Sequence, residues 1–140
     1  MLSKEDYIDA LLKLGFVREP ASRTDGSHIR FHNSKYNNLY TGITDHKNTK
    51  EMNRLVHKDL IKTMSTYIWL ETRNENNNID FKKAKEMLKK IDEELSRTII
   101  KVLKKADGKD VINIIPQRLH DEVAKVYDSV STKEVCLYIQ

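Results

Sequence analysis

His28-Ile29-Arg30-Phe31-His32 alternates polar and apolar side chains at a period of two. A strand with that pattern turns Ile29 and Phe31 toward a core and sets His28, Arg30 and His32 on the opposite face. The run is introduced by Ser22-Arg23-Thr24-Asp25-Gly26-Ser27, in which Asp-Gly is a strong hairpin signal. Residues 33–38 form a second polar turn, and Leu39-Tyr40-Thr41-Gly42-Ile43-Thr44 supplies another β-prone run. Upstream, Phe16-Val17-Arg18 begins an extended segment that Pro20 ends or confines to a sheet edge. Three short strands therefore follow one another between residues 16 and 44.

Helices are expected on both sides of them. Ser3 is an N-cap with Asp6 three residues on as a partial capping box, and Ile8, Leu11 and Leu12 give residues 3–14 an amphipathic helical spacing. Gly15 sits where a left-handed C-terminal cap belongs. From Thr49 the period lengthens again, and Met52, Leu55, Val56, Leu60 and Met64 share one face of a helix over residues 48–64. The β-branched and aromatic run at residues 67–72 can extend that helix but favours a strand.

Asn74-Glu75-Asn76-Asn77-Asn78 is the clearest boundary, because five polar, turn-prone residues end the first unit. Asp80 caps what reads as the longest helix, residues 80–105, with an apolar stripe of Phe81, Ala84, Leu88, Ile91, Leu95, Ile99 and Val102. Asp107-Gly108 breaks it. Residues 111–115 then read as a buried strand, Pro116 starts a helix reaching about residue 129, and residues 135–139 form a last strand. The expected class is α+β. An α-β-β-β-α unit spans residues 1–73, and a mixed α/β extension with one long helix spans residues 79–140.

The composition narrows the function classes. The chain has 140 residues, of which 39% are hydrophobic, enough for a proper core. With 33% charged residues and no apolar run near ~20 residues, it carries no membrane span. The N-terminus turns acidic at once and lacks the apolar stretch of a signal peptide. The lone Cys136 cannot close an internal disulfide, so a reducing cytoplasm is the expected compartment. The net charge of +4 permits an anionic partner without requiring one. Residues 1–70 hold 11 Lys and Arg against 8 Asp and Glu, whereas residues 71–140 hold 14 against 13. Four of the five histidines (His28, His32, His46 and His57) also lie in the first half. A site for an anion is expected there.

Most enzyme signatures are missing. There is no Gly-x-Gly-x-x-Gly, no Walker loop and no Gly-x-Ser-x-Gly elbow. His28 and His32 have the four-residue spacing of a helical metal clasp, but on a strand they stand ~13 Å apart and cannot share an ion. The Lys-rich stripe at Lys82, Lys83, Lys85, Lys89 and Lys90 alternates with Glu86, Asp92, Glu93 and Glu94, as on the wet face of an amphipathic helix. Tyr36, Tyr40 and Tyr67 have rings that can stack on bases.

Gly26-Ser27-His28 opening a polar strand face, set in the order helix, Leu-Gly-Phe, turn, strand, short turn, strand and helix, resembles the HicA family of bacterial toxin–antitoxin systems. The matching pieces are Leu11 to Phe16, Gly26-Ser27-His28, Phe31, the strand near Thr41-Gly42-Ile43 with His46, and the helix containing Leu60. The resemblance covers residues 4–64. Two features depart from the family: the loop from Arg18 to Asp25 is longer and more polar, and about half of the chain lies beyond the match.

The resemblance implies a fold like a double-stranded-RNA-binding domain and a metal-independent mRNA interferase with His28 as its catalytic residue. A neutral imidazole would take the ribose 2′-hydroxyl proton, and cations would face the phosphoryl oxygens. Arg30 on the same face, Arg23 in the preceding loop and Lys47 after His46 are the candidate cations, with His32 beside them as a further RNA contact. No metal and no cofactor enter this chemistry. The expected partners are RNA and an antitoxin. The alternative is a non-enzymatic effector of a phage or mobile element that docks on a host nucleoprotein or inhibits a defence enzyme, in the manner of an anti-CRISPR protein. The long helix and the C-terminal extension fit that alternative better, because an RNase needs neither.

Overall fold

A computed structural model describes residues 2–20, 28–36, 39–44 and 54–109 of the chain. Its elements run α1 (Lys4–Lys13), β1 (Phe16–Arg18), β2 (His28–Asn33), β3 (Tyr40–Thr44), α2 (Arg54–Thr72), α3 (Phe81–Leu88) and α4 (Glu93–Ala106). The class is α+β, and the first five elements follow the expected α-β-β-β-α order. The sheet is antiparallel in the order β1-β2-β3.

Local chemistry explains the boundaries. The Ser3 hydroxyl accepts from the Asp6 backbone N–H at 3.3 Å, and the Asp6 carboxylate accepts from the Ser3 N–H at 2.7 Å. This reciprocal box starts α1, and the hydrogen bond from the Ser3 backbone is the main reason the Asp6 carboxyl is held below its usual range. Gly15 turns the chain out of α1 at φ +85°, a conformation that costs a residue with a Cβ. The chain then enters β1 with Phe16 buried.

Two sequence expectations are corrected. Residues 67–72 are not a strand but the last turns of α2. Ile61, Met64, Ile68 and Thr72, with Leu60 and Trp69 beside them, are all buried at helical spacing. The threonines are accommodated because Thr63, Thr66 and Thr72 each donate a hydroxyl to the carbonyl four residues back, at 2.7–2.8 Å. Residues 80–105 are not one helix but two. The chain breaks after Leu88, and the Asp92 carboxylate accepts from the N–H groups of Glu94 and Leu95 at 2.9 and 3.1 Å to begin α4. Asp92-Glu93-Glu94, which reads as a wet helical face, is a cap followed by an acidic first turn. The start expected for α2 at residues 48–53, and the strands and helix expected over residues 111–139, lie outside the described residues.

The asparagine turn is built into the structure. Arg73 and Ile79 form an antiparallel bridge across it, and Asn77 is buried at φ 62°. The Asn77 carbonyl accepts from the Gly108 N–H at 2.9 Å, and the Asp107 carboxylate accepts from the Ile79 N–H at 2.8 Å. The end of α4 is thereby tied to the turn that follows α2. Residues on both sides of the turn contribute to one apolar core: Leu11, Phe16, Phe31, Ile43, Leu60, Met64, Ile68 and Trp69 before it, and Leu88, Leu95, Ile99 and Leu103 after it. α2 packs on β3 as well as on α3 and α4.

One further long-range contact ties α1 into this core. The buried Tyr7 phenol hydrogen-bonds His57 Nδ1 on α2, with the two rings edge to face. Burial, helped by the negative charges of Glu94, Asp6 and Asp92, raises the phenol from 10.0 to about 12.

Two outcomes are expected. Leu95→Ala should lower stability by about 2–5 kcal/mol in one urea transition, seen alike by fluorescence of the lone Trp69 and by far-UV circular dichroism. Separate transitions would contradict a core shared across the turn. The second concerns Tyr7. The folded state holds the phenol proton more tightly than the unfolded chain, so this contribution is complete below pH 10 and is lost as pH rises toward about 12. Urea melts through that window should show wild type losing on the order of 2 kcal/mol more than Tyr7→Phe, and parallel curves would show that Tyr7 is not the linked group.

Candidate nucleic-acid interface on the exposed sheet face

The β2 register assigns each residue to a face. Ile29 pairs with Ile43 and Phe31 with Thr41, and all four are buried. This is the helix side: the Thr41 hydroxyl donates to Asp59 on α2 at 2.8 Å, and Phe16 meets the Tyr67 ring of α2 edge-on at 5.9 Å. On the other side, His28 pairs with Thr44, Arg30 with Gly42, and His32 with both Tyr40 and Val17. Arg30 and Val17 are exposed there, and His32, Tyr40 and Gly42 are partly exposed. Alternation along β2 thus puts the positions of His28, Arg30 and His32 on one face, as the sequence pattern implies.

The structure adds a residue to that face. Beyond β1, the Glu19 N–H donates to the Arg30 carbonyl at 2.8 Å, so strand pairing continues one residue further. This brings the Glu19 carboxylate between two β2 side chains, with Oε2 3.6 Å from Arg30 Nε and Oε1 3.4 Å from His32 Nδ1. Gly42 offers no side chain opposite Arg30, and the guanidinium lies diagonally over the Tyr40 ring at 5.5 Å. Glu19, Arg30, His32 and Tyr40 therefore form one contiguous exposed cluster.

Sequence reading missed Glu19 because Pro20 marks the end of the strand. The signal was present, since Glu19 falls two residues after Val17 and so shares its face. Arg23 and Lys47, the other candidate cations, lie outside the described residues, as does His46. His28 is placed by backbone register alone. Among the described residues, no group of three His, Cys, Asp or Glu side chains comes together as metal ligands would, and no helix is long and apolar enough to cross a membrane.

Of Tyr36, Tyr40 and Tyr67, only Tyr40 belongs to this face. Tyr36 and Tyr67 meet edge to face at 6.2 Å in a cluster with Lys35 and Glu71, where Lys35 Nζ lies 2.8 Å from the Glu71 carboxylate. Burial pushes both phenols up, with Glu71 adding to the shift, while the hydrogen bond to Glu71 holds the Lys35 ammonium above its usual value. Asn33 supports the same corner by accepting from the N–H groups of Lys35 and Tyr36. This cluster pins the β2–β3 connection to the last turns of α2.

Chemically, the exposed face offers a carboxylate, a guanidinium, an imidazole and a stacking ring, with a second histidine position four residues before His32 on the same strand. These are the groups of acid–base work on a phosphodiester. No family model, curated protein or solved structure compared with the chain matches it.

Proposed function

We propose that this chain is an RNA-directed, metal-independent endoribonuclease of the mRNA-interferase type, acting through the exposed face of its sheet with His28 as the reacting group. One observation supports the reading above others: the β2 register sets His28, Arg30 and His32 at alternate positions on the face turned away from the helices. The α1-β1-β2-β3-α2 order over residues 4–72 also agrees with the element order on which the resemblance to HicA proteins rests.

The chemistry follows from the groups. An RNA strand lying along β2 would bring a ribose 2′-hydroxyl to His28, whose neutral imidazole takes the proton, while Arg30 meets the adjacent phosphoryl oxygens. Tyr40 supplies a ring on which a neighbouring base can stack. Backbone and ribose contacts of this kind recognise RNA largely by shape. The reading implies a cytoplasmic protein, where Cys136 stays reduced, and adds an antitoxin as its protein partner.

The alternative, a non-enzymatic inhibitor of a host nucleoprotein or defence enzyme, drew its support from an extension that an RNase does not need. α3 and α4 have a use in either case, because they pack against α2 and complete the core. Cutting the chain at the asparagine turn would uncover that side of α2, so point variants of the full chain are the cleaner test.

Purified wild type, incubated with total RNA in excess EDTA at neutral pH, should produce fragments ending in 2′,3′-cyclic phosphate. His28→Ala should slow this by ~100-fold or more. Intact RNA with both proteins, or equal cleavage by both, would overturn the reading.

A further inference from the structure

Gly42 sits in the interior of β3, paired opposite Arg30. Glycine inside a strand lowers stability, because it loses the most backbone freedom on folding and packs no side chain. Gly15 and Gly108 have a backbone reason to be glycine, at φ +85° and +71°. Gly42 does not enter that left-handed region. A Cβ at this position would lie 3.6 Å from the Ile29 carbonyl oxygen, an ordinary contact. Among the described residues, no side-chain atom beyond its chain neighbours comes within 4 Å of it. The fold has room for a side chain at Gly42 and does without one.

The gap opens on the outward face of the sheet, since Thr41 and Ile43 on either side are buried and Gly42 is partly exposed. Tyr40 shares that face two residues earlier on the same strand. Arg30 leans toward the Tyr40 ring, 5.5 Å from its centroid, and toward the Glu19 carboxylate, 3.6 Å from Nε. The main chain at Gly42 is thereby left uncovered, with an aromatic ring at one end and a cation at its side.

Bare main chain beside a ring admits a flat ligand. A nucleobase can rest there and stack on Tyr40, as unpaired bases do on aromatic side chains of sheet surfaces. The terminal nitrogens of Arg30 carry four N–H groups beyond the Nε that Glu19 meets, enough to hold the phosphate joined to that base. A base inside a duplex cannot enter, because its faces lie against its neighbours and its edge against its partner.

Resting on the reading that RNA meets this face, we propose that Gly42, Tyr40 and Arg30 form a seat for one unpaired nucleobase, and that the substrate class is single-stranded RNA. Gly42 leaves the space, Tyr40 stacks on the base and Arg30 anchors the adjoining phosphate. Contacts to phosphate and ribose alone would accept paired and unpaired strands alike, whereas this seat selects the unpaired one.

Filling the seat while keeping the fold tests the proposal. The probe is a fluorescein-labelled RNA of mixed sequence, alone or annealed to its complement, with binding read by fluorescence anisotropy in EDTA. The parent carries His28→Ala so that the RNA stays intact, and each further substitution is made in that full chain. Gly42→Val adds a strand-favouring side chain, so its melting midpoint should equal or exceed the parent's. Its affinity for the single strand should fall about tenfold. Tyr40→Leu should also lose about tenfold, Tyr40→Phe should stay within about twofold, and the parent should bind the duplex about tenfold more weakly. Unchanged affinity in Gly42→Val or Tyr40→Leu, or equal affinity for duplex and single strand, would overturn the seat while RNA binding stands. A lower melting midpoint for Gly42→Val would show that the fold itself requires the glycine, and the seat would fall too. If neither RNA binds the parent or wild type, the RNA reading fails and takes the seat with it.

Discussion

The structure depends on α2 being buried on more than one side. Leu60, Ile61, Thr63, Met64, Ser65, Thr66, Ile68 and Trp69 are all buried, and such a run encircles a helix rather than forming one stripe. A helix of that kind needs cover on both flanks. The sheet provides one through β3, and α3 and α4 provide the other. Threonine hydroxyls that would otherwise be buried without partners bond to carbonyls within the helix. Because both flanks of α2 are occupied from these sides, the sheet commits its apolar face inward and its polar face outward.

The outward face contributes little to stability. Ion pairs between exposed groups are worth only ~0–1 kcal/mol, and the Glu19 pairs join a carboxylate 36% exposed to an arginine 52% exposed and a histidine 32% exposed. Folding alone gives no strong reason to gather a carboxylate, a guanidinium, an imidazole and an aromatic ring around one strand. The Tyr7–His57 and Lys35–Glu71 contacts differ, since each joins α2 to a distant part of the chain. Substituting the exposed cluster is therefore expected to read out chemistry with the fold intact.

Much of the architecture was legible in local pattern. Period-two alternation located β2 and its faces, the Ser3–Asp6 box began α1, and Gly15 ended it. What escaped was decided by contacts between distant residues. Residues 67–72 have strand composition, yet they continue α2 because its remaining buried positions need the same neighbours. The break before Asp92 was hidden by an apolar stripe that two helices carry across the gap nearly in phase. Glu19 was obscured by Pro20, and its place beside Arg30 and His32 exists only once β1 pairs with β2. His57, fifty positions from Tyr7, offers no local sign of its partner.

The central claim is that RNA meets the polar face of the sheet. The most direct measurement is a titration of the isotopically labelled full chain with single-stranded RNA in EDTA, using His28→Ala to keep the RNA intact and following backbone amide resonances by NMR. Shifts concentrated at Glu19, Arg30, His32, Tyr40 and Gly42, and weakened by added salt, are the predicted result. Shifts confined to α3 and α4, or an unchanged spectrum at saturating RNA, would contradict it.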